Sequence, residues 1–446
     1  MNKDLTVGKP SSVIWRYSLP LFGSIIFQQL YNIADSFVAG HYIGTRALGA
    51  VGNSYEITLI YIAFAFGCNI GTSVVVARHF GSKNYKKVKT TITTSIIISL
   101  VIGIILTICG LFGATWLLEL IQTDAEIFAD SLTYLQIYLA GFIFLLIYNV
   151  ATGIFSALGD SKTPFIFLAF SSIGNIFVDI LFVKNFHMGI EGVAYATFLC
   201  QSIASIISMI VIALRIKKLH IEEKAPLYTN ESAKELAHIA IPSILQQTFI
   251  SLGNIAIQAM INTFGFAATA GYSAAIKLNN MTITSITALG NGMSNYAAQN
   301  AGARQSQRIH DGLKAGIKMA CAIALIFGGI YFTCGKFFLE LFITDGNVEA
   351  VNIGVMFLKI VSPFYFIVAF KLIADGILRG INCMKLFMAA TLVDLVIRVA
   401  FAFIFSNVMN FGLNGIWSAW PIGWIIGACL SIYFYHIARQ SNYNIR

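Results

Sequence analysis

The sequence predicts an all-α polytopic membrane protein, with 12 transmembrane helices in two pseudo-symmetric six-helix lobes around a central cleft. Three observations predict this fold class: the composition, the recurrence of long apolar stretches, and an internal repeat. Of the 446 residues, 57% are hydrophobic and only 11% are charged, and the mean hydropathy is +0.77. So few charges cannot cover the surface of a water-soluble protein of this size.

Apolar stretches long enough to cross a bilayer recur along the whole chain. A helix needs about 20 mostly apolar residues to span the hydrocarbon core, and the sequence offers 12 such stretches, which we number in chain order. The predicted spans are 13–40, 52–77, 91–118, 131–158, 164–184 and 190–214 in the first half, and 236–263, 271–300, 313–335, 350–380, 385–406 and 412–438 in the second.

The first half of the chain recurs in the second half. The segment 15–40 returns in altered form at 237–262, with Pro20 matched to Pro242 at a spacing of 222 residues. Two related copies of one six-span unit explain both the even number of spans and this match. Such internal repeats are typical of secondary transporters, whose binding sites lie near the bilayer midplane at or within the repeats.

The repeat divides the chain into an N-terminal lobe, 1–218, and a C-terminal lobe, 236–446. The polar stretch 219–235 between them is predicted to be a cytoplasmic interlobe linker. The copies differ at one position that matters, because Asp35 in the first copy aligns with Ile257 in the second. Because only the first copy has an acid at this position inside a span, we predict a functional site in the N-terminal lobe.

Charge placement in the loops predicts the orientation of the chain. Cytoplasmic loops of membrane proteins carry the excess of Lys and Arg, and here basic and acidic loops alternate. The loop after span two holds five bases and the loop after span three holds four acids: Arg78, Lys83, Lys86, Lys87 and Lys89, then Glu119, Asp124, Glu126 and Asp130. We therefore expect a multi-pass protein of the plasma (inner) membrane with both termini cytoplasmic. Topology explains the net charge of +9, so nucleic acid is not an expected partner.

The sequence shows no constellation of catalytic or cofactor-binding residues. The seven cysteines and seven histidines are scattered singly, without the spacing of metal ligands. No nucleotide-binding or nucleophile motif is visible. We predict that the protein is not an enzyme, that it uses no organic cofactor, and that it has no dedicated metal centre.

Two acids lie deep in apolar sequence of the first half, without a Lys or Arg in the core of their own spans. Charged groups inside a membrane cost about 3 kcal/mol or more and mark functional sites. Gln28, Asn32 and Asp35 follow i, i+4, i+7 spacing in span one, and Asn175 and Asp179 follow i, i+4 spacing in span five, so each set lines one helix face. Together they can bind protons or a small cation such as Na⁺ in turn. The alternative is that these groups only join helices by hydrogen bonds, a role that uncompensated acids fill poorly.

Neutral polar residues and pairs of opposite charges also lie inside the predicted spans. Asn149 in span four and Thr197 in span six can contribute donors and acceptors to the same cavity. In the second half, opposite charges at i, i+4 spacing predict two neutralised structural pairs: Lys371 with Asp375, and Asp394 with Arg398.

Four segments carry a resemblance to a known family. They are LYNIADSFVAGHYIG in span one, YNVATGIFSALGDSKTP at the end of span four, NIFVDILFV in span five and GVAYATFLCQ in span six. With the two six-helix copies, they resemble the multidrug and toxic compound extrusion (MATE) family, and most closely its DinF-like branch. The resemblance covers about 10–438.

The resemblance implies roles for individual residues. Asp35 and Asp179 match the proposed coupling-ion carboxylates of the N-terminal lobe, and Pro20 matches a proline at which the first helix is proposed to bend. Four further residues match positions said to hydrogen-bond with the acids: Asn149, Asn175, Thr197 and Tyr134. Gln28 and Tyr31 match positions near bound drug, and with Asn32 on the same polar face they form the predicted substrate-binding set.

The sequence departs from the NorM-like branch, which has an acidic cation site in the C-terminal lobe that begins with a Glu in span seven. Gln246 and Gln247 stand there instead, so a sodium site in that lobe is not expected.

We therefore expect a secondary active multidrug exporter that antiports organic cations or amphiphilic drugs against H⁺ or Na⁺ by alternating access. A two-lobed transporter embedded in the bilayer needs no partner chain, so we expect a monomer. One alternative is a flippase for a lipid or lipid-linked glycan, with a basic cleft built from Lys277, Lys359 and Lys371. A membrane enzyme or receptor is the other alternative, and it would require a catalytic or metal cluster at one membrane face.

Overall fold

The computed structural model describes residues 3–218, 224–343 and 347–441, and these residues form 14 α-helices and no strand. The helices of the first half are α1 (Pro10–Val38), α2 (Thr45–Gly81), α3 (Tyr85–Leu120), α4 (Ala125–Ala140), α5 (Phe142–Ala157), α6 (Lys162–Ile180) and α7 (Ile190–Lys217). Those of the second half are α8 (Asn230–Asn262), α9 (Phe266–Gly302), α10 (Ser306–Phe342), α11 (Val348–Val361), α12 (Tyr365–Gly380), α13 (Met384–Phe403) and α14 (Gly412–Gln440).

These helices account for the predicted spans. Among the described residues, nine helical segments are long and apolar enough to cross a membrane, and the bent pair α4–α5 makes ten. The remaining two predicted spans correspond to α1 and α9, which have 29 and 37 residues and are richer in polar side chains. The all-α fold with 12 transmembrane helices in two related halves is therefore confirmed.

Two of the predicted spans are not continuous helices. Span four bends by 47° between α4 and α5, at Gly141. A Cβ atom there would lie 2.8 Å from Cδ2 of Phe198 on α7, so glycine permits the close approach of α7 at the bend. Span ten is interrupted by a 3₁₀ turn, Ser362–Phe364, where Pro363 has no N–H to continue the helical hydrogen bonds.

Three helices end in a π-helical turn. These turns are Ala39–Ile43 after α1, Leu181–Asn185 after α6, and Ile404–Val408 after α13. The last two follow spans five and eleven, which are equivalent in the repeat. A π-helical turn is frequent at functional sites, and the first two begin four residues after Asp35 and two residues after Asp179.

The chain forms two compact units. One comprises Leu19–Ile244 together with Lys3 and Asp4, and the other comprises Leu5–Ser18 together with the chain from Leu245 onward. In both α1 and α8 the division falls next to the proline inside the helix, Pro20 or Pro242. The lobe boundaries predicted from the repeat remain a prediction.

In the first unit, α7 packs against α4, α5 and α6, and α2 packs against α3, α4 and α5. The central part of α1 packs on α6, where the rings of Phe27 and Phe165 meet edge to face at 5.8 Å. This arrangement brings the polar faces of α1, α6 and α7 into one interior.

Candidate functional site

The two acids of the first half meet inside the first unit. Asp35 on α1 and Asp179 on α6 are within hydrogen-bonding reach of each other, with relative exposures of 6% and 0%. Ionised carboxylates are acceptors only, so a contact between them requires a proton, or a small cation, shared by the pair. Neither acid forms an ion pair with a Lys, Arg or His within the described residues. The fold thus brings together the two acids that the sequence shows without a base in their own spans, and their role in coupling stays a prediction.

Asn175 bridges the two acids. It precedes Asp179 by one turn of α6, so both side chains lie on the same helix face. In the amide orientation that satisfies both of its ends, the nitrogen donates to Oδ1 of Asp35 at 2.9 Å and to Oδ2 of Asp179 at 3.3 Å. The amide oxygen accepts from the backbone N–H of Thr197 at 3.2 Å. One side chain thus fixes α1, α6 and α7 around the acid pair.

Hydroxyl groups complete the surroundings of Asp35. The hydroxyl groups of Tyr31 and Thr197 lie 3.0 Å apart, and Tyr31 also reaches the Asp35 carboxyl. Tyr134 on α4 is 6% exposed and is an electrostatic neighbour of both acids. The structure therefore places Asn175, Thr197 and Tyr134 around the acid pair, but of these three only Asn175 has a hydrogen bond to the acids among the described residues.

One neighbour of the site was missed in the sequence. Tyr138 follows Tyr134 by one turn of α4, stacks on it with ring centres 6.4 Å apart, and is also an electrostatic neighbour of Asp35. Its i, i+4 spacing from Tyr134 is the signal that could have identified it.

The chemistry of the site suits a proton or a small hard cation. Oδ1 of Asp179 is buried and accepts no hydrogen bond from any donor in the part of the chain that the structure describes. Buried acceptors are rarely left without a partner. Carboxylate and hydroxyl oxygens are ligands that hard cations prefer, so the acids and the hydroxyl groups of Tyr31 and Thr197 fit Na⁺ as well as H⁺.

Not every predicted residue reaches the acids. Asn149 lies on α5, but its side-chain nitrogen donates to the carbonyl of Leu145 in the same helix at 2.9 Å, and it makes no hydrogen bond to either acid among the described residues. Gln28 is exposed, and no hydrogen bond joins its side chain to the acids within the same set of residues. Asn32 lies in α1, but its side chain is outside the described part of the structure. Pro20 lies inside α1 as expected.

The charged residues of the second half form a different network from the predicted one. Nζ of Lys371 lies 2.8 Å from Oδ2 of Asp375, which confirms the first pair, and 3.6 Å from Oδ2 of Asp394. The predicted pairing of Asp394 with Arg398 is wrong, because the Arg398 guanidinium lies over the ring of Trp420, 4.7 Å from its centre. Spacing along α13 places the two residues on one face but does not exclude better partners on α12 and α14.

A further buried ion pair lies where α5 meets α6. Nη2 of Arg215, at the end of α7, is 2.7 Å from Oδ2 of Asp160 and donates to Oγ1 of Thr163 at 2.9 Å. Oγ1 of Thr163 donates to the same carboxyl oxygen of Asp160 at 2.6 Å. Burial acts to raise the pKa of Asp160, but these hydrogen bonds and the Arg215 charge outweigh it and hold the pKa below its usual value. The sequence signal, GDSKTP followed by Arg215 some fifty residues later, does not reveal this pair.

Twelve membrane-spanning helices in two related halves, with acids buried without a base in one half only, define a polytopic membrane transporter. Membership of a transporter family, rather than the lack of any group, decides the class of this protein, which is a transporter and not an enzyme. The chain belongs to the MatE family, whose model matches residues 20–181 and 242–404, one match in each half.

Similar proteins match over nearly the whole chain. A protein of Bacillus subtilis (strain 168) named probable multidrug resistance protein YpnP is 28% identical over 438 residues, which cover 98% of this chain and 97% of the relative. A MOP superfamily transporter from Pyrococcus furiosus Vc1 superposes with a TM-score of 0.93 at 23% identity, over 98% of both chains. An outward-facing multidrug resistance MATE family transporter gives 0.92 at 23% identity, over 99% of this chain and 98% of that one. At this level of identity the two structures are similar to this chain in fold.

Proposed function

We propose that this transporter is an ion-coupled exporter, which antiports organic cations or amphiphilic drugs against H⁺ or Na⁺ by alternating access. The observation that carries the proposal is that Asp35 and Asp179 lie beside each other, joined by Asn175, with no basic partner among the described residues. An acid that is paired with a base forms a neutral ion pair, which stays in one charge state. An acid pair without one must gain and lose a cation to change its charge, and this is the property that a coupling site needs.

The geometry suggests how ion binding and drug binding compete. Tyr31 is a predicted drug-contact residue, and its hydroxyl also lies in hydrogen-bonding range of Thr197 and Asp35. When a proton or cation binds between the acids, the acceptors available to Tyr31 change. The same helix presents Gln28 at an exposed position one turn earlier, so a change at Asp35 is transmitted along α1 to the substrate-binding set.

Pro20 gives α1 a place at which to bend. Proline has no backbone N–H, so the carbonyl of Arg16 loses its usual helical partner. The hydroxyl of Ser24 donates to the carbonyl of Pro20 itself at 3.1 Å. We infer that the part of α1 beyond Pro20, which carries the acid and the drug-contact residues, changes its direction when the acid pair changes its charge.

The substrate class rests on chemistry and on relatives. The Bacillus relative and the outward-facing structure are both described by their names as multidrug resistance proteins. Aromatic residues make up 13% of this chain, and aromatic faces bind flat organic cations through cation–π contacts. We infer a single chain in the plasma membrane, with both termini cytoplasmic as the basic loops indicate.

The test measures ethidium efflux from reconstituted vesicles, with proton and sodium gradients imposed separately. We expect one gradient to drive efflux by the wild-type protein, and Asp35→Asn to abolish this coupling while the protein still folds. Asp130→Asn is the matched control, because Asp130 is a partly exposed acid paired with Arg46 at the surface. Coupled efflux at the wild-type rate by Asp35→Asn would refute the proposal.

A flippase is the less favoured function. It would need a shared basic surface from Lys277, Lys359 and Lys371, but Lys371 is buried and neutralised by Asp375, whereas the other two are exposed. Lys277 lies over the ring of Phe342 at 5.7 Å. A transport rate that depends on neither the proton gradient nor the sodium gradient, or failure to transport any cationic dye, would favour the flippase.

A further inference from the structure

Polar side chains continue from the acid pair along one face of α7. Thr197, Gln201, Ser205 and Ser208 follow one another at i, i+4, i+8 and i+11, so they form one file on the helix. Thr197, Ser205 and Ser208 have relative exposures of 6%, 2% and 0%. The file runs away from the acid pair and toward Arg215, at the far end of the helix. We call these four residues the polar file.

Contacts between α7 and α6 accompany the file from one end to the other. Near the acid pair, the Asn175 amide oxygen accepts from the Thr197 backbone N–H. One turn further, the hydroxyl of Ser171 donates to the carbonyl of Cys200 at 3.4 Å. At the far end, Arg215 holds Thr163 and Asp160. Three contacts thus hold α6 and α7 together from the acid pair to the Asp160–Arg215 pair.

Several buried atoms beside this path have no hydrogen-bond partner. Within the described residues, these atoms are Oε1 of Gln201, Oγ of Ser208 and Nη1 of Arg215. Buried polar atoms are nearly always satisfied, by protein groups or by ordered water. These atoms are spaced about two helical turns apart along α7, and each offers ordered water one of the two to four polar partners that it needs.

The opposite direction from the acid pair is closed by apolar side chains. Val38 follows Asp35 by three residues and Val183 follows Asp179 by four, so each lies about one turn beyond its acid. They pack in a cluster of buried side chains from α1, α2, α4, α7 and the π-helical turn Leu181–Asn185: Val38, Ala47, Ala50, Tyr134, Val183, Ile190, Val193 and Ala194. We call this cluster the apolar seal. The first unit is therefore polar on one side of the acids and apolar on the other.

We propose that the coupling ion travels between the acid pair and the Asp160–Arg215 end of the first unit along the polar file, through water held between α6 and α7. The proposal rests on the proposed function, since it gives the route by which the coupling site exchanges its ion. Under the inferred topology this end is cytoplasmic, so the file is the release path for an ion that has entered from outside. The apolar seal prevents exchange with the outside in the same state.

The first test measures proton release with a pH-indicator dye when ethidium is mixed with the purified protein in weakly buffered detergent. We expect the double variant Gln201→Leu, Ser208→Ala to release protons about tenfold more slowly for each lost hydrogen-bonding group, with unchanged ethidium affinity. Ser202→Ala is the matched control, because the Ser202 hydroxyl donates to the Phe198 carbonyl of its own helix at 2.7 Å. Release at the wild-type rate by the double variant overturns the proposal.

The second test measures whether positions along the polar file are accessible to a water-soluble reagent, and it does not require transport activity. In a background without the seven native cysteines, Ser208→Cys should react with a small, charged, membrane-impermeant thiosulfonate added from the side of the α5–α6 loop, and Val183→Cys should not. An unreactive Ser208→Cys overturns the proposal. The two levels of failure are distinct: if the wild type releases neither H⁺ nor, measured with a sodium-indicator dye, Na⁺ on ethidium binding, the proposed function fails. If Asp35→Asn abolishes release but the double variant does not slow it, only the release path fails.

Discussion

Asn175 is the residue on which the geometry of the acid pair most directly depends. Its amide nitrogen donates to both carboxyls, at 2.9 Å and 3.3 Å, and a hydrogen bond to a charged group contributes about 1.5–3 kcal/mol. We expect Asn175→Ala to weaken the coupling between drug and ion by about tenfold or more, measured as the shift in ethidium affinity with the concentration of the driving ion. Asn149→Ala is the control, because Asn149 donates to its own helix. An equal effect of the two substitutions would contradict the bridging role.

The ion pair of Asp160 and Arg215 should contribute to the stability of the first unit rather than to the transport reaction. Side-chain exposures are 6% and 17%, and breaking a buried pair leaves a charge without its partner. We expect Asp160→Asn to lower the free energy of unfolding by about 2–4 kcal/mol at pH 7, measured by thermal unfolding in detergent. Asp130→Asn, which breaks the surface pair with Arg46, should change it by less than about 1 kcal/mol.

The sign of the pH dependence follows from the lowered pKa of Asp160. A folded pKa below the unfolded value of about 4 gives stability that is present above that value and is lost as the pH falls through the folded pKa. The difference between wild type and Asp160→Asn should therefore be full at neutral pH and disappear in strong acid. A difference that grows on acidification would contradict this assignment.

At this scale, spacing along the sequence predicted which residues share a helix face but not which partners they choose. Asp35, Asp179 and Asn175 were predicted because an acid without a base is visible in an apolar span. Asn149 turns to its own helix, and Arg398 turns to Trp420 on α14. The competing partners lie on other helices, so one-dimensional spacing cannot rank them.

Among the helices, α1 carries both the coupling acid and the proposed bend. A proline inside a helix costs about 3 kcal/mol relative to alanine, so Pro20→Ala should favour a straight α1 by a similar amount. We expect efflux to fall about tenfold or more, with ion-dependent drug binding retained. The matched control is Pro242→Ala in α8, where Ile257 stands in place of the acid, and it should reduce efflux less. Equal losses in the two variants would show that bending of α1 has no special part in coupling.

Hydropathy predicted where the membrane-spanning helices lie, but it did not predict where they bend or change to a π-helical turn. A window of apolar residues gives the same prediction for a straight span and for the pair α4–α5, which bends by 47° at Gly141. The bend depends on the approach of Phe198 from α7, a contact between residues far apart in the chain. The π-helical turns after Asp35 and Asp179 are likewise tertiary features, because one extra residue per turn leaves the apolar pattern almost unchanged.

For the whole molecule, the sequence repeat predicted two related halves, and the acid that is present in one copy only predicts a coupling site in the first half. The asymmetry also limits the number of ions that can be exchanged in each transport cycle. Asp35 and Asp179 are within hydrogen-bonding reach of each other. Two carboxyl groups at such a short separation do not both ionise. The second half offers no equivalent pair among its described residues, since Lys371 neutralises Asp375.

A pair that alternates between one and two bound protons exchanges one proton per cycle. If H⁺ is the coupling ion, export of a monovalent organic cation should then be electroneutral, and export of a neutral amphiphile should be electrogenic. We expect a potassium diffusion potential set with valinomycin to leave ethidium efflux unchanged and to alter efflux of an uncharged substrate, with the pH gradient held constant in both. Efflux of ethidium that responds to the potential would mean that more than one charge returns per cycle, and that a second coupling group acts together with the acid pair.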